Sequence, residues 1–198
     1  MRPSSLKKKQ NYLDVATELF LEQGFDATGL DQLIERCGGS KLTLYNYFGD
    51  KRGLLKEVVT RLTGELQTML ALDSDRNHST EQQLQHFCRS YTAFVYHPKT
   101  MGLFRLMIAQ SKQDSELIEY FLDRGPRRAL AILEQLLVQL VADGQLQLTD
   151  PHNSAEQLLG ALRGSRYFEA LLTPQPSDSA QLQRYADRVV DTFLRSCH

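Results

Sequence analysis

Cysteine is scarce in this chain, and histidine lacks the spacing of a metal site. The three cysteines lie far apart and none belongs to a CxxC pair, so we expect reduced thiols rather than a disulfide framework. The five histidines form no HExxH or comparable pattern, which argues against catalytic zinc. No Gly-rich phosphate loop is present, and Cys37, Cys88 and Ser90 have no adjacent base in a recognisable arrangement. We therefore predict no cofactor and no enzyme.

Long apolar runs are absent as well. No stretch of about 18 apolar residues occurs, so a membrane span is not predicted. The basic start MRPSSLKKKQNYLD is not followed by an apolar block of signal-peptide length, so we expect a cytoplasmic protein without a membrane partner. The 198 residues, 41% hydrophobic and 24% charged, suffice for one compact domain or for a small domain joined to a larger one.

The net charge of −1 hides an uneven distribution. Residues 1–13 carry four basic and no acidic side chains, and residues 14–35 carry six acidic and no basic ones. Residues 36–56 then carry five basic side chains against Asp50 alone. This pattern favours a locally basic surface that can bind phosphate on a nearly neutral protein.

Hydrophobic periodicity predicts helix along nearly the whole chain, with no period-two strand pattern. A first helix shows apolar residues at i, i+3, i+4, i+7 and i+8 from Tyr12 and ends at Gly24, against which Phe25 folds back. Thr28 or Asp31 is the expected cap of the second helix. The remaining predicted helices cover 30–37, 41–48, 51–72, 80–96, 99–112, 114–124, 126–143, 153–172 and 178–196.

The second and third predicted helices are separated by the short break Gly38-Gly39-Ser40, which is the spacing of a helix-turn-helix. In the third helix Leu44 and Phe48 point inward, and five residues place hydrogen-bonding tips elsewhere on so short a helix. The alternative is a packed helical hairpin with its polar tips in solvent. Lys7–Lys9 is either a disordered terminus or a basic arm that adds salt-sensitive affinity.

The segment Tyr12–Val59 resembles the N-terminal domain of TetR-type repressors. The resemblance rests on matching residues at Ala16, Leu19, Phe20, Gly24, Phe25, Thr28, Leu33, Gly38, Ser40, Lys41, Thr43 to Phe48, Lys51, Leu54 and Leu55. It implies an all-α chain with a three-helix helix-turn-helix DNA-binding domain at residues 1–50 and a helical regulatory and dimerisation bundle at residues 51–198. It also implies a homodimer that binds palindromic double-stranded operator DNA and is released by a small-molecule effector.

The predicted DNA-binding residues combine this resemblance with the chemistry of the third helix. They are Lys9, Thr28, Ser40, Lys41, Thr43, Tyr45, Asn46, Tyr47 and Lys51. The chain departs from the family pattern at four places. Ile34 stands at a usual alanine, Gly29 at a frequent threonine or serine, and Leu42 at a frequent glycine. Gly39 replaces a usual valine, which we expect to remove a core contact.

A second resemblance lies in the region from Leu103 to Leu146, which is similar to the AefR-like regulatory domain of some of these repressors, although Lys112 to Ser115 replaces the usual turn. An apolar cavity between helices can hold an effector there. The candidate ligand-binding residues are Leu66, Met69, Phe87, Tyr91, Phe94, Phe104, Arg105, Met107, Ile108, Phe121 and Leu137. Arg105 and Tyr91 are the polar candidates, and plain core packing is the alternative for most of the others.

The last two predicted helices carry more apolar surface than one covering neighbour requires. The candidate dimer-interface residues are Leu158, Leu162, Tyr167, Leu171, Val189 and Phe193. The alternative is docking onto the rest of the domain. For the whole chain, the predicted function is that of a ligand-responsive transcriptional regulator, by family analogy a repressor. The competing hypothesis is an all-helical protein-interaction module that does not bind DNA.

Overall fold

A computed structural model describes residues 3–70, 78–173 and 178–197. Within these ranges the chain forms ten helices and no strand, which confirms the predicted all-α class. The helices are α1 (Pro3–Gln23), α2 (Leu30–Cys37), α3 (Lys41–Phe48), α4 (Lys51–Met69), α5 (Thr80–Val95), α6 (Pro98–Gln110), α7 (Ser115–Arg124), α8 (Pro126–Ala142), α9 (Pro151–Leu172) and α10 (Ser179–Ser196). The predicted end of the fourth helix at residue 72 lies outside the described residues.

The helices belong to two compact units. The first comprises Met1–Thr63 and Gly102–Phe121, and the second comprises Gly64–Met101 and Leu122–His198. The first unit therefore draws on α1 to α3, most of α4 and parts of α6 and α7. The expected functional division at residue 50 stays a prediction.

Glycine and serine define the helix ends in the first unit, largely as the sequence indicates. Gly24 takes a φ of +88° after α1, and the Phe25 ring lies 5.5 Å from the Phe20 ring, which confirms the predicted fold-back. Gly38 is left-handed, with φ 63° and ψ 42°, and closes α2. The expected side-chain cap of α2 by Thr28 or Asp31 is wrong, because Gly29 occupies the N-cap and no side chain bonds there.

The helix α1 starts at Pro3, well before the apolar periodicity begins. Lys7–Lys9 is therefore helical, and the alternative of a disordered terminus is wrong. The ammonium group of Lys9 lies 3.4 Å from a carboxylate oxygen of Glu57 and 5.5 Å from the centre of the Phe48 ring. These contacts stabilise the first turns of α1 against the helices that follow.

The second unit is a helical bundle in which α5 packs on α10 and α8 packs on α9. A capping box starts α5, where the Ser79 hydroxyl accepts from the Gln82 amide and the Gln82 side chain accepts from Ser79. Arg89 on α5 makes a two-pronged ion pair with Asp187 on α10, at 2.6 and 2.9 Å. The bidentate geometry fixes the register of these two helices.

The helix α9 is broken at Gly164, which the sequence pattern presents as continuous helix. Gly164 has φ 51° and ψ −160°, a backbone conformation that residues with a Cβ avoid. The freed carbonyls accept from two tyrosines: the Tyr96 hydroxyl donates to Arg163 at 2.6 Å, and the Tyr185 hydroxyl donates to Ala161 at 2.5 Å. Burial raises the pKa of Tyr96 to about 12, so this hydroxyl remains a donor.

The substitution Gly164→Ala should destabilise the protein by about 1–3 kcal/mol, because alanine resists this backbone conformation. Its Cβ would also lie 3.1 Å from the Tyr185 hydroxyl oxygen. The matched control is Gly160→Ala, one turn earlier, where a Cβ meets nothing within 4 Å. Alanine there should stabilise the helix by up to about 1 kcal/mol. Urea unfolding followed by circular dichroism measures both changes, and equal effects would contradict the assigned break.

Candidate nucleic-acid interface

The helix α3 turns one face inward and another to solvent. Leu44 and Phe48 are buried, as the helical spacing predicts. Lys41, Tyr45 and Asn46 are exposed, and Leu42 is 69% exposed. The exposed residues therefore form a continuous strip along α3. A helix presented in this way can enter a DNA major groove.

Ser40 starts α3 and uses its side chain to do so. Its hydroxyl accepts from the backbone amide of Thr43 at 3.2 Å and lies 2.9 Å from the Thr43 hydroxyl. Ser40 is therefore the N-cap of α3. Both hydroxyls thus have a partner within the turn, and their predicted contacts with DNA stay predictions.

The position of Ser40 is set by Tyr12, a fully buried residue of α1. The Tyr12 hydroxyl accepts from the Ser40 amide at 3.0 Å and donates to the Ser40 carbonyl at 3.3 Å. Desolvation raises the pKa of Tyr12, which keeps its proton in place for the second bond. A phenol from α1 therefore holds the backbone at the first turn of the exposed helix.

Gly39 provides the space that this phenol occupies. A Cβ at position 39 would overlap the Tyr12 hydroxyl and would lie 2.5 Å from Tyr12 Cζ. The expectation that Gly39 simply removes a core contact is therefore wrong, because the Tyr12 ring fills the volume that a side chain at position 39 would take. The sequence could not reveal that Tyr12 fills the space beside Gly39, since the two residues lie 27 positions apart.

Tyr47 packs where the sequence placed a DNA contact. Its ring lies edge-on to Tyr12, with 6.3 Å between centroids, and its hydroxyl is 2.9 Å from the Ser5 hydroxyl. The side chain is half-buried and joins α3 to the first turn of α1. Its predicted contact with DNA stays a prediction, alongside this structural role.

The basic residues nearest α3 already have partners. The Lys41 ammonium lies 2.7 Å from Asp31, whose carboxylate raises the pKa of Lys41 by hydrogen bonding. The Lys51 ammonium lies 4.4 Å from the centre of the Phe25 ring, and burial lowers its pKa. Both cations lie at or beside helix N-termini, where phosphate binds readily.

Thr28 is only 1% exposed, in contrast to the predicted DNA contacts Lys41, Tyr45 and Asn46 on α3. Its hydroxyl donates to the Gly24 carbonyl at 2.7 Å and accepts from the Gln23 amide. The side chain thus holds the turn between α1 and α2 together. A phosphate contact by Thr28, which the resemblance implies, stays a prediction.

Arg52 forms ion pairs with two carboxylates of the first unit, and the sequence did not point to these partners. Its guanidinium donates to Asp114 at 2.5 and 2.9 Å and to Glu116 at 3.0 Å. These hydrogen bonds lower the pKa of Asp114 to about 2. Asp114 also accepts from the Leu117 amide at 3.0 Å, which caps α7. Arg52 thereby ties the start of α4 to the start of α7.

Reactive or metal-binding groups are not gathered in the described ranges. Burial raises the pKa of Cys37 to about 11 and that of Cys88 to about 12, so both are protonated thiols near neutral pH. No group of three or more His, Cys, Asp or Glu residues there is arranged to hold a metal ion. Among the same residues, no helix has the length and apolarity needed to cross a membrane.

The candidate ligand-binding residues are divided between the two units. Leu66, Phe87, Tyr91, Phe94 and Leu137 are buried in the second unit. Of the whole predicted set, Tyr91 alone lines a described pocket of about 350 Å³, together with residues of α8 and α9.

The other candidates are dispersed. Met107 and Phe121 are buried and Phe104 is half-buried in the first unit, where Phe104 and Phe121 stack edge to face. Met69 and Ile108 are 39% and 57% exposed, and Arg105 is exposed too. Arg105 belongs to the first unit and Tyr91 to the second, and their joint role as polar groups of a ligand site stays a prediction.

The candidate dimer-interface residues divide by burial. Leu158 and Leu162 are buried within the second unit, so docking inside the chain accounts for them. The other four, Tyr167, Leu171, Val189 and Phe193, are half-buried. Phe168 and Leu172, at the end of α9, are 64% and 81% exposed. The interface itself stays a prediction.

An exposed, capped recognition helix on a three-helix scaffold defines a helix-turn-helix protein. Residues 13–58 match the model for bacterial regulatory proteins of the tetR family, and residues 82–196 match that for the AefR-like transcriptional repressor C-terminal domain. The chain belongs to the TetR family of bacterial transcriptional regulators and carries an AefR-like C-terminal domain.

Similarity to individual proteins agrees with this family assignment. The chain is similar to the HTH-type transcriptional regulator SrpR of Pseudomonas putida, with 25% identity over 160 residues, covering 80% of this chain and 73% of SrpR. It superposes on a TetR-family regulator from Mesorhizobium loti with a TM-score of 0.86, 28% identity and 98% coverage of each chain. The flavonoid-responsive regulator FrrA gives a TM-score of 0.79, 28% identity and 97% coverage of each chain.

The pair Tyr12 and Gly39 should behave as one unit in a double-mutant cycle. Gly39→Ala should cost about 1–3 kcal/mol in the natural background, because the added Cβ collides with the Tyr12 phenol. In a Tyr12→Leu background the same change should cost less than about 0.5 kcal/mol, since the collision is gone and alanine lowers the entropy of the unfolded chain. Urea unfolding of the four proteins measures the coupling, and strictly additive costs would contradict it.

Proposed function

We propose that two copies of this chain form a dimer that binds a palindromic operator as a repressor, and that a small organic effector releases the dimer from DNA. The exposed strip of α3, formed by Lys41, Leu42, Tyr45 and Asn46, is the observation that carries the proposal. Polar and aromatic tips reach base edges, and Leu42 suits a thymine methyl group. Such a protein acts in the cytoplasm, where bacterial DNA lies.

Phosphate contacts would come from the flanks of α3. Lys41 and Lys51 lie on helical first turns, whose free amides favour anions. The ion pair between Lys41 and Asp31 is exposed at both ends, so replacing this carboxylate by phosphate costs little. Lys9 is a third cation on the first unit, held by Glu57.

Dimerisation is supported by the exposed apolar residues of α9. Phe168 and Leu172 are large side chains with most of their surface in solvent, and Val189 and Phe193 on α10 are half-buried. A two-fold contact would cover such side chains with their own copies. It would present two α3 helices, which need a separation of about 34–36 Å or a multiple of it to enter successive major grooves.

Release follows from a population shift. An effector that binds more tightly to dimers with another spacing of α3 reduces the fraction able to bind DNA, by no more than its difference in affinity for the two states. The name of FrrA as a flavonoid-responsive regulator supports an organic effector for this chain as well.

Selection of bound sequences from random double-stranded DNA should enrich a palindrome with half-sites separated by about 10 base pairs or a multiple. On that DNA, Tyr45→Ala should lower affinity by about tenfold or more, because it removes a contact to base edges or sugar. Lys51→Ala should reduce the slope of log affinity against log salt by about one, as expected for one lost phosphate contact. Fluorescence anisotropy at several salt concentrations measures both.

The control for these variants is Lys99→Ala, which removes an exposed positive charge in the second unit. It should leave both affinity and salt slope unchanged, and circular dichroism should show all three variants fully helical. Failure to enrich any sequence, or unchanged affinity in Tyr45→Ala and Lys51→Ala, would instead favour the protein-interaction module.

Phe168→Glu should convert the dimer to monomer and abolish operator binding, because a buried glutamate pair is not tolerated at a two-fold contact. The control is Val138→Glu on α8, which changes a residue that is also largely exposed but lies outside α9 and α10. Sedimentation velocity measures the mass of each. A dimer that survives Phe168→Glu would move the interface away from the end of α9.

A further inference from the structure

A pocket of about 350 Å³ lies within the second unit, walled by α5, the start of α8 and the first half of α9. Its apolar wall comes from Pro126, Leu130 and Leu159. Its volume falls at the lower end of the range for small-molecule sites, about 300–1,000 Å³. Of its lining residues, the sequence analysis proposed Tyr91 as a ligand contact.

Tyr91 places a buried donor on this wall. The side chain is 6% exposed and its ring stacks on Phe87, with an interplanar angle of 8°. Desolvation raises the pKa of Tyr91, so the hydroxyl keeps its proton. No residue in the described ranges hydrogen-bonds to this hydroxyl. The hydroxyl is not among the fully buried atoms without a partner, so it faces the open space of the pocket, where it can donate to a bound acceptor.

Arg163 brings positive charge to the same wall. It is half-buried, and its Nε donates to the Leu159 carbonyl one turn earlier at 3.3 Å. Its two terminal nitrogens have no hydrogen-bond partner among the residues that the structure describes. The charge of Arg163 also acts on the Tyr91 hydroxyl, where it opposes the effect of burial on the pKa. A hydroxyl donor and a guanidinium thus converge on one region of the pocket.

Two further charged side chains determine the net charge of the pocket wall. Arg127 contributes a second guanidinium, which is paired with Asp123 at 2.8 Å. Glu156 is the carboxylate of the wall, with 57% of its side chain exposed and 4.0 Å from the His152 ring. The pocket therefore has a net positive charge with one negative group, which suits a single anionic charge better than a phosphate dianion.

We propose that this pocket binds a small organic carboxylate with an aromatic body. The carboxylate accepts from Arg163 and from the Tyr91 hydroxyl, a geometry in which charge-assisted hydrogen bonds replace water. The aromatic body lies against Leu130 and Leu159. In the proposed function this carboxylate is the effector, so the inference rests on that function for its biological meaning but not for the binding itself.

The test uses benzoate, trans-cinnamate and 2-naphthoate, each with its neutral amide, titrated calorimetrically into the full chain without DNA. At least one carboxylate should bind tenfold or more tightly than its own amide. Arg163→Met, which keeps the apolar stem, should abolish this preference, and Tyr91→Phe should weaken the carboxylate about fivefold. Arg128→Met, an exposed arginine beside the pocket wall on α8, should change neither.

The inference is overturned if no carboxylate binds more tightly than its amide, or if Arg163→Met leaves the preference intact in a protein of natural stability. The same carboxylates are then added to the complex with the selected DNA. If carboxylates bind to the pocket but the protein has no affinity for DNA, the proposed function is contradicted and the proposed carboxylate site is still supported. Strong operator binding with no preference of the pocket for carboxylate over amide would support the proposed function and contradict the carboxylate site.

Discussion

The Tyr12 hydroxyl holds both backbone polar groups of Ser40, and the exposed helix α3 depends on this contact for its position. The phenol lies in space that Gly39 leaves open. Ser40 in turn caps α3 through Thr43, so one buried ring determines where the helix begins and how it is aimed. The two bonds from Tyr12 are half-buried and the capping bond is exposed, and together they fix the first turn of α3, where a DNA-binding helix needs a defined position.

Three cations of the first unit pair with carboxylates of the same unit. Lys41 pairs with Asp31, Lys9 with Glu57, and Arg52 with Asp114. The pair of Lys41 with Asp31 is exposed and contributes little stability, so phosphate can replace this carboxylate at small cost, whereas the pair of Lys9 with Glu57 is half-buried. The bidentate pair of Arg52 is stronger and joins helices instead. A chain with net charge −1 can therefore bind DNA without strong affinity for every polyanion.

The break at Gly164 divides α9 into two parts with different surroundings. The first part carries the pocket residues Glu156, Leu159 and Arg163, and the second carries the exposed Phe168 and Leu172. The hydroxyl of Tyr96, directly after α5, and that of Tyr185 on α10 donate to the freed carbonyls. One helix thus serves both the proposed effector site and the proposed dimer contact, and its two parts are joined at a residue that only glycine suits.

The sequence by itself determined the helices, the helix-turn-helix and the family, because these depend on local spacing: apolar residues at helical intervals, a glycine that ends α2 and a serine that starts α3. It did not reveal the packing of Tyr12 against Gly39, the partners of Arg52, the break in α9 or the pocket beside Arg163. Each of these joins residues distant in the chain, and a Cβ collision, a bidentate ion pair or an unused hydroxyl exists only once packing has brought them together.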